Sequence, residues 1–371
     1  MINTLNILFI MHMPPPVHGA AMVGKYIHDS RVINEAFDCH YINLTTARDL
    51  SDIGKVGLRK IRQFMTLLRQ IRREVIRLKP TLVYVTPNAC GGAFYKDFIV
   101  VQMLKRMGCR VVVHYHNKGV ASRQNRWLDD KLYRCFFEGL KVILLAEPLY
   151  DDVARYVSRD DVYICPNGIP DTSYLEPVAV KSNDVPHLLF LSNLLESKGV
   201  LVLLDALNIL RERGCRFVCD FVGGETTEID ARRFAGEVEK RGLNDSAIYH
   251  GRKYGDEKEI FWQKSDLFVF PTYYNNECFP LVLLEAMQHG VACISTCEGG
   301  IPDIIEDGRT GFVVERRNSE ELADKIEKLI NNPRLIAQVG TSARKRFEER
   351  FTLTIFENRI REIFEYLTDN R

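Results

Sequence analysis

The chain has 371 residues, 46% of them hydrophobic, and a formal net charge of +1. That length points to two domains of roughly 150 to 200 residues, each with a core of its own. No apolar run approaches the roughly 18 to 20 residues of a membrane-spanning helix. The ten cysteines, without a CxxC pair, speak against a disulfide framework or a zinc module and read as buried free thiols of a reducing compartment.

The first apolar run, 5–11, lacks a basic flank and a small-residue cleavage site, so it reads as a β-strand rather than a secretory signal, and a cytoplasmic location is expected. Pro14-Pro15-Pro16-Val17-His18-Gly19 follows, a stiff turn into a helix of small residues. It lacks G-x-G-x-x-G, which removes the dinucleotide fingerprint of an NAD enzyme. Further strand-like runs at 82–86, 110–116, 142–146 and 162–165 alternate with helical patterns. That alternation predicts a parallel sheet covered by helices on both faces.

Positions 1–180 hold 24 Lys+Arg against 17 Asp+Glu, a balance of +7, and the remainder carries −6. The excess concentrates in 57–79, where Arg59, Lys60, Arg62, Arg69, Arg72, Arg73, Arg77 and Lys79 interleave with Ile61, Phe64, Met65 and Leu68. This basic amphipathic helix suits an anionic membrane surface. It equally suits a helix that packs on the core and turns a solvated basic face outward. Nucleic acid is not an expected partner, because the second half is acidic and carries no nucleic-acid-binding motif.

The run 170–186 is polar and contains Pro170, Pro177 and Pro186, which makes it the expected linker, with a boundary near residue 180. A second strand series follows at 187–192, 217–222, 247–250, 267–271, 291–296 and 311–315. After residue 318 the pattern is helical, with breaks at Pro333 and Thr352 and a last helix over 353–367.

Ligands of open parallel sheets bind at the carboxyl ends of strands. After the run 267–271 comes Glu277-Cys278-Phe279-Pro280-Leu281, with Pro280 expected in the first turn of a helix and Glu285 about two turns in. Two acids so placed are able to address a sugar hydroxyl and a diol such as ribose; taken alone, they read as a solvated loop acid and a helix surface residue. Glu298-Gly299-Gly300-Ile301-Pro302 then offers a turn suited to close approach to a phosphate or sugar.

The stretch 270–314, FPTYYNNECFPLVLLEAMQHGVACISTCEGGIPDIIEDGRTGFVV, combines an E-x7-E element, an EAM-x-x-G turn, GG-I-P-D and DG-x-TG-F. In order and spacing it resembles the donor-binding segment of the family-4 retaining glycosyltransferases of GT-B fold. The Pro166-Asn167-Gly168-Ile169 turn and Lys198-Gly199 are similar to earlier elements of that family. The resemblance is strong from about residue 162 onward and thin before it.

The resemblance implies two Rossmann-like doubly wound domains facing a central cleft, an acceptor-side domain over 1–180 and a donor-binding domain over 181–352, with the helix 353–371 packing back onto the first. It implies a nucleotide-sugar donor, a glycan or lipid-linked saccharide acceptor, and no metal or other cofactor. Lys198 would steady the donor diphosphate and Glu285 the ribose hydroxyls. Glu277 would touch the transferred sugar, with Cys278, Phe279, Pro280 and Leu281 framing sugar and phosphate oxygens. Gly19 is similar to a glycine that lets the backbone approach the donor.

His116, after the strand 110–114, resembles the family's strand-end histidine; taken alone, it also reads as a satisfied core histidine. One departure stands out: Asn193 occupies the place of a family arginine, so the diphosphate site would either rely more on Lys198 or recruit another cation such as Arg252 or Lys253, with Arg252 favoured. The expected reaction is retaining sugar transfer to a hydroxyl in lipopolysaccharide, capsule or exopolysaccharide biosynthesis. The alternatives are a nucleotide-sugar epimerase or phosphorylase of the same fold, or a donor-binding subunit without turnover.

Overall fold

Apolar strands alternating with helices produce two parallel sheets of six strands each in the computed structural model, which describes residues 5–15, 18–44, 58–172 and 184–369. In chain order the first half holds β1 (Asn6–Met11), α1 (Gly19–Asp29), α2 (Arg31–Ala36), β2 (Asp38–Asn43), α3 (Leu58–Leu78), β3 (Leu82–Val85), α4 (Gly91–Arg106), β4 (Val111–His114), α5 (Trp127–Phe137), β5 (Lys141–Leu144) and β6 (Val162–Ile164). The second half holds β7 (His187–Leu191), α6 (Val200–Glu212), β8 (Val218–Val222), α7 (Ala231–Lys240), β9 (Ala247–Tyr249), α8 (Asp256–Lys264), β10 (Leu267–Phe270), α9 (Leu281–Gln288), β11 (Ala292–Thr296), α10 (Ile301–Ile304) and β12 (Phe312–Val314). Three helices close the chain, α11 (Ser319–Ile330), α12 (Pro333–Arg350) and α13 (Leu353–Asp369).

Two compact units result: Met1–Gly168 with Leu353–Arg371, and Ile169–Thr352. The division falls directly after the Pro166-Asn167-Gly168 turn, earlier than the linker reading, whose boundary near residue 180 lies outside the described residues. Pro16, Val17, Gly57 and the side chains of Arg59 and Lys60 also lie outside them.

The first unit orders its strands β2-β1-β3-β4-β5-β6. Ile7 to Met11 of β1 and Val83 to Val85 of β3 are wholly buried, as strands covered on both faces must be. Helix α13 supplies part of that cover: Phe364, fully buried, sets its ring edge-on to Phe9 at 5.7 Å, Tyr84 at 5.5 Å and Phe37 at 5.9 Å. Strand β2 escaped the sequence reading for a physical reason. It is an edge strand in which only Ile42 is fully buried, so Asp38, His40 and Asn43 interrupt any apolar run.

The second unit orders its strands β12-β11-β10-β7-β8-β9. Its helix starts are set by side chains that accept the orphan N–H groups of the first turn. Asp230 accepts from Arg233 at α7, and Asn318 accepts from Glu321 at α11. Asn332 caps α12 at Leu335, and Pro333 just inside that helix explains the break between α11 and α12. All ten cysteines are free thiols, yet Cys135 and Cys297 are exposed, which corrects the expectation that the thiols are buried.

Candidate functional site

In the second sheet the strand order reverses between β7 and β10. Ligands of open parallel sheets bind outside the carboxyl ends of the strands at such a switch point. The loop after β7 ends in a single 3₁₀ turn, Glu196–Lys198, followed by Gly199 at φ 90°. A Cβ on Gly199 would lie 2.3 Å from the carbonyl oxygen of Pro271, so only glycine lets this loop press against the exit of β10. The Tyr273 N–H donates to the carbonyl of Ser197 at 2.8 Å and closes the two loops together.

The consequence is a buried ion pair. Lys198 Nζ lies 2.6 Å from Glu277 Oε2, with 16% and 9% of the two side chains exposed. The hydroxyl of Thr272, itself fully buried, approaches the same carboxylate oxygen at 3.4 Å. The ammonium also stands 4.6 Å from the ring centroid of Tyr274 and 5.5 Å from that of Phe270. An ammonium has three N–H donors, so two remain for anionic oxygens once Glu277 has taken one.

The Gly299-Gly300 turn packs closely on the loop that carries Glu277. Gly299, at φ 57°, would place a Cβ 2.2 Å from the carbonyl oxygen of Glu277, and the Gly300 N–H donates to the carbonyl of Cys278 at 2.7 Å. These glycines therefore let the turn lie against the Glu277 loop itself. Cys278 and Phe279 are buried beneath the site, Phe279 against the Phe351 ring at 5.8 Å. Pro280 is the N-cap of α9 rather than a first-turn residue, so Glu285 is the fifth residue of the helix and stands just over one turn in, not two. Leu281 opens that helix, where main-chain N–H groups have no partner within the helix.

Glu285 does not touch the Lys198–Glu277 pair. Its Oε1 lies 2.8 Å from Lys258 Nζ on α8, while its Oε2 is buried and has no hydrogen-bond partner among the described residues. One turn further along α9, His289 places Nδ1 2.7 Å from the Glu285 carbonyl oxygen and Nε2 against the Glu259 carboxylate, and its ring stacks on the buried Trp262 at 5.7 Å.

Asn193 uses its amide structurally: its Oδ1 accepts from the Gly224 N–H at 3.2 Å. The guanidinium of Arg252 lies directly on Gly224, since a Cβ there would meet Arg252 Nη2 at 2.3 Å. Arg252 thus stands beside the residue that occupies the family's arginine position, and it forms no ion pair among the described residues. Lys253 turns to Glu257 at 3.0 Å.

In the first unit the order reverses between β1 and β3, and histidines collect at the ends of β1 and β4. His114 is fully buried, with Nδ1 2.7 Å from the Tyr84 hydroxyl. His116, two residues on, stacks on His114 at 4.2 Å, and both of its ring nitrogens are buried without a hydrogen-bond partner among the described residues. His12 receives Asn88 Nδ2 at 3.4 Å and faces the His18 ring at 6.2 Å. Burial, with Lys96 and then His18 nearby, lowers the His12 pKa to about 3; burial, then His12 and His18, lowers that of His116 to about 3. These rings are neutral at physiological pH, each offering a donor and an acceptor. Gly19 opens α1, and among the described residues no atom lies within 4 Å of a Cβ placed on it.

The fold therefore brings Lys198 and Glu277 into direct contact, sets Arg252 beside Asn193, and gives Glu285 a separate partner. Sequence reasoning missed Thr272, Lys258, His12 and His18. A signal for Lys258 existed: Glu285 and His289, four apart on the mostly apolar LVLLEAMQH segment, call for polar partners on a neighbouring helix. Among the described residues no group of three or more His, Cys, Asp or Glu side chains is disposed to hold a metal ion, and no helix is long and apolar enough to cross a membrane.

Comparison with known proteins agrees with this architecture. Residues 175–346, most of the second unit, match the family described as glycosyl transferases group 1. The chain is 28% identical over 271 residues to O-antigen chain mannosyltransferase C of Escherichia coli, covering 68% of each protein. It is 30% identical over 168 residues to the capsular polysaccharide biosynthesis glycosyltransferase CapM of Staphylococcus aureus, covering 45% of this chain and 42% of that one, so this second match spans less than half of the relative. The crystal structure of Anabaena HepE in complex with UDP and glucose superposes with a TM-score of 0.72 at 17% identity, covering 97% of this chain and 99% of that one. The chain thus has two doubly wound units of GT-B type, and the match to the glycosyl transferases group 1 falls on the unit that carries Lys198, Glu277 and Glu285.

Proposed function

We propose that the protein transfers a sugar, with retention and without a metal, from a nucleoside-diphosphate sugar to a hydroxyl acceptor in the synthesis of a cell-surface polysaccharide. The observation that carries this reading is the Lys198–Glu277 pair at the switch between β7 and β10, joined on the same β10–α9 segment by Glu285 with its buried, unpartnered Oε2. As the anomeric C–O bond breaks, its electron pair goes to the diphosphate. The two free N–H donors of Lys198, the Arg252 guanidinium and the N–H groups at the start of α9 stabilise that charge in place of a metal ion.

Glu277, engaged by Lys198, acts as a ligand for a sugar hydroxyl rather than as a nucleophile, and attack by the acceptor oxygen from the leaving-group face, its hydroxyl proton passing to the departing diphosphate oxygen, then preserves configuration. Glu285 Oε2 accepts from a ribose hydroxyl. His116, neutral, hydrogen-bonds a sugar hydroxyl on the first unit. The relatives named for O-antigen and capsular polysaccharide synthesis support a glycan or lipid-linked acceptor, and the UDP bound to the HepE structure supports a nucleotide donor.

The basic helix α3 supports work at an anionic membrane, on its inner face. Leu67, Ile71 and Val75 are buried on one side, while Ile61, Met65 and Ile76 are exposed among Arg62, Arg69, Arg72 and Arg73. Exposed apolar side chains between cations suit the boundary of acyl chains and anionic headgroups.

A thermal-shift screen against nucleotide sugars tests the donor reading, because a ligand at about 100 times its Kd stabilises the native state by about 2.7 kcal/mol. One donor raises the unfolding temperature, Glu285→Ala abolishes the rise, and a chelator leaves it intact. Equal stabilisation of wild type and Glu285→Ala overturns the assignment; an inverted anomeric centre in the product, read by NMR, overturns retention.

A further inference from the structure

We propose that Lys258 is a positioning residue of the nucleotide site: it holds one oxygen of Glu285 so that the other is presented, in a fixed direction, to the ribose diol of the nucleotide. The proposal rests on the donor reading above and assigns the recognition of ribose to a pair of helices rather than to one acid.

The geometry comes from two faces that match. Lys258, Glu259 and Trp262 of α8 meet Glu285 and His289 of α9. Trp262 is fully buried and its ring stacks on His289 with an interplanar angle of 14°. His289 is then tied at both ring nitrogens, by Nδ1 to the main chain at Glu285 and by Nε2 to Glu259. The helix turn that carries Glu285 is thereby locked to α8, and Lys258 Nζ, 2.8 Å from Oε1, completes the clamp at the carboxylate.

A carboxylate on a helix otherwise rotates about its terminal torsion through a broad range. With Oε1 engaged by an ammonium, rotation would break a charge-assisted bond, so Oε2 keeps one direction. That Oε2 is buried without a partner is the second observation. A buried acceptor left unsatisfied is destabilising, and the penalty is relieved when a ligand hydroxyl donates to it. Vicinal hydroxyls of a ribose supply that donor; a phosphate, which presents acceptors only, does not.

Calorimetric titration of the full chain tests this with UDP, GDP, ADP and CDP, each beside its 2′-deoxy counterpart, and with dTDP beside its 3′-deoxy counterpart. The wild type prefers the hydroxyl-bearing form of the nucleotide that binds by about 10- to 100-fold, as hydrogen bonds to a charged group allow. In Lys258→Met, which keeps the aliphatic stem, that preference shrinks to within about threefold, and Lys258→Arg restores most of it. In turnover the Met variant raises the donor KM more than it lowers kcat.

A Met variant that folds with an unchanged unfolding temperature and keeps the full ribose preference overturns the role of Lys258 while leaving the donor site standing. A wild type that binds all forms equally removes ribose recognition from Glu285, and the proposal with it. A wild type that binds none of these nucleotides overturns the donor reading itself.

Discussion

Removing one partner of the Lys198–Glu277 pair has asymmetric consequences. Lys198→Met leaves a buried carboxylate whose remaining contact is the Thr272 hydroxyl at 3.4 Å. Breaking a buried pair from one side destabilises by about 3 kcal/mol or more. A ΔΔG of 1 kcal/mol lowers Tm by about 2–4 °C for a unit of this size, so the loss is about 6–12 °C. Glu277→Gln leaves the ammonium between the Tyr274 and Phe270 rings at 4.6 and 5.5 Å. Such contacts hold a partly desolvated cation by about 0.5–2 kcal/mol, and the amide oxygen still accepts, so the loss is about 1–2 kcal/mol.

The assay is thermal unfolding of wild type, both single variants and the double variant, followed by calorimetric titration with the nucleoside diphosphate that the wild type binds. Glu277→Gln retains nucleoside diphosphate affinity within about tenfold and loses sugar transfer, whereas Lys198→Met loses both. The double variant is less destabilised than the sum of the singles, because each removes the same interaction. Equal destabilisation by the two single changes, or additive losses in the double variant, would refute the reasoning.

Gly199→Ala forces a side chain into a left-handed backbone against the Pro271 carbonyl oxygen, 2.3 Å from the new Cβ; a loss of at least about 2 kcal/mol in a denaturant midpoint is expected, with weaker diphosphate binding. Phe364→Ala opens a void among Phe9, Phe37 and Tyr84 and lowers the stability of the first unit by about 3–5 kcal/mol, read by thermal unfolding. For His12 and His116 the native pKa, about 3, lies below the unfolded value of 6.5, so the unfolded chain binds more protons and stability falls as pH drops through 6.5 toward 3. At pH 5 each histidine removes at most about 2 kcal/mol, and His12→Gln flattens the pH dependence of urea unfolding between pH 7.5 and 5. Neutralising Arg62, Arg69, Arg72 and Arg73 to glutamine removes about 1 kcal/mol each of attraction to phosphatidylglycerol vesicles, about a thousandfold in a sedimentation assay, without lowering Tm.

Which parts of this protein were legible from residues alone follows from what each signal needs. Apolar runs announce strands between helical patterns, so eleven of the twelve strands among the described residues were found to within two residues at each end. Only β2, an edge strand whose polar residues meet solvent, gave no run to read. Lys198, Glu277 and Glu285 stood out through the resemblance of their motifs to a glycosyltransferase donor segment.

Partnership was beyond sequence, since it depends on atoms 79 residues apart in the chain arriving at one point. Only the fold pairs Lys198 with Glu277, through a glycine that admits the Pro271 carbonyl within 2.3 Å of a would-be Cβ. The same holds for Gly299, whose absent side chain makes room for the loop of its own site, and for Lys258, which nothing near it in sequence ties to an acid on α9. Composition and order settle what chemistry the chain is able to do; packing across the sheet decides which side chain faces which, because contact distance is a property of three dimensions and not of spacing along a chain.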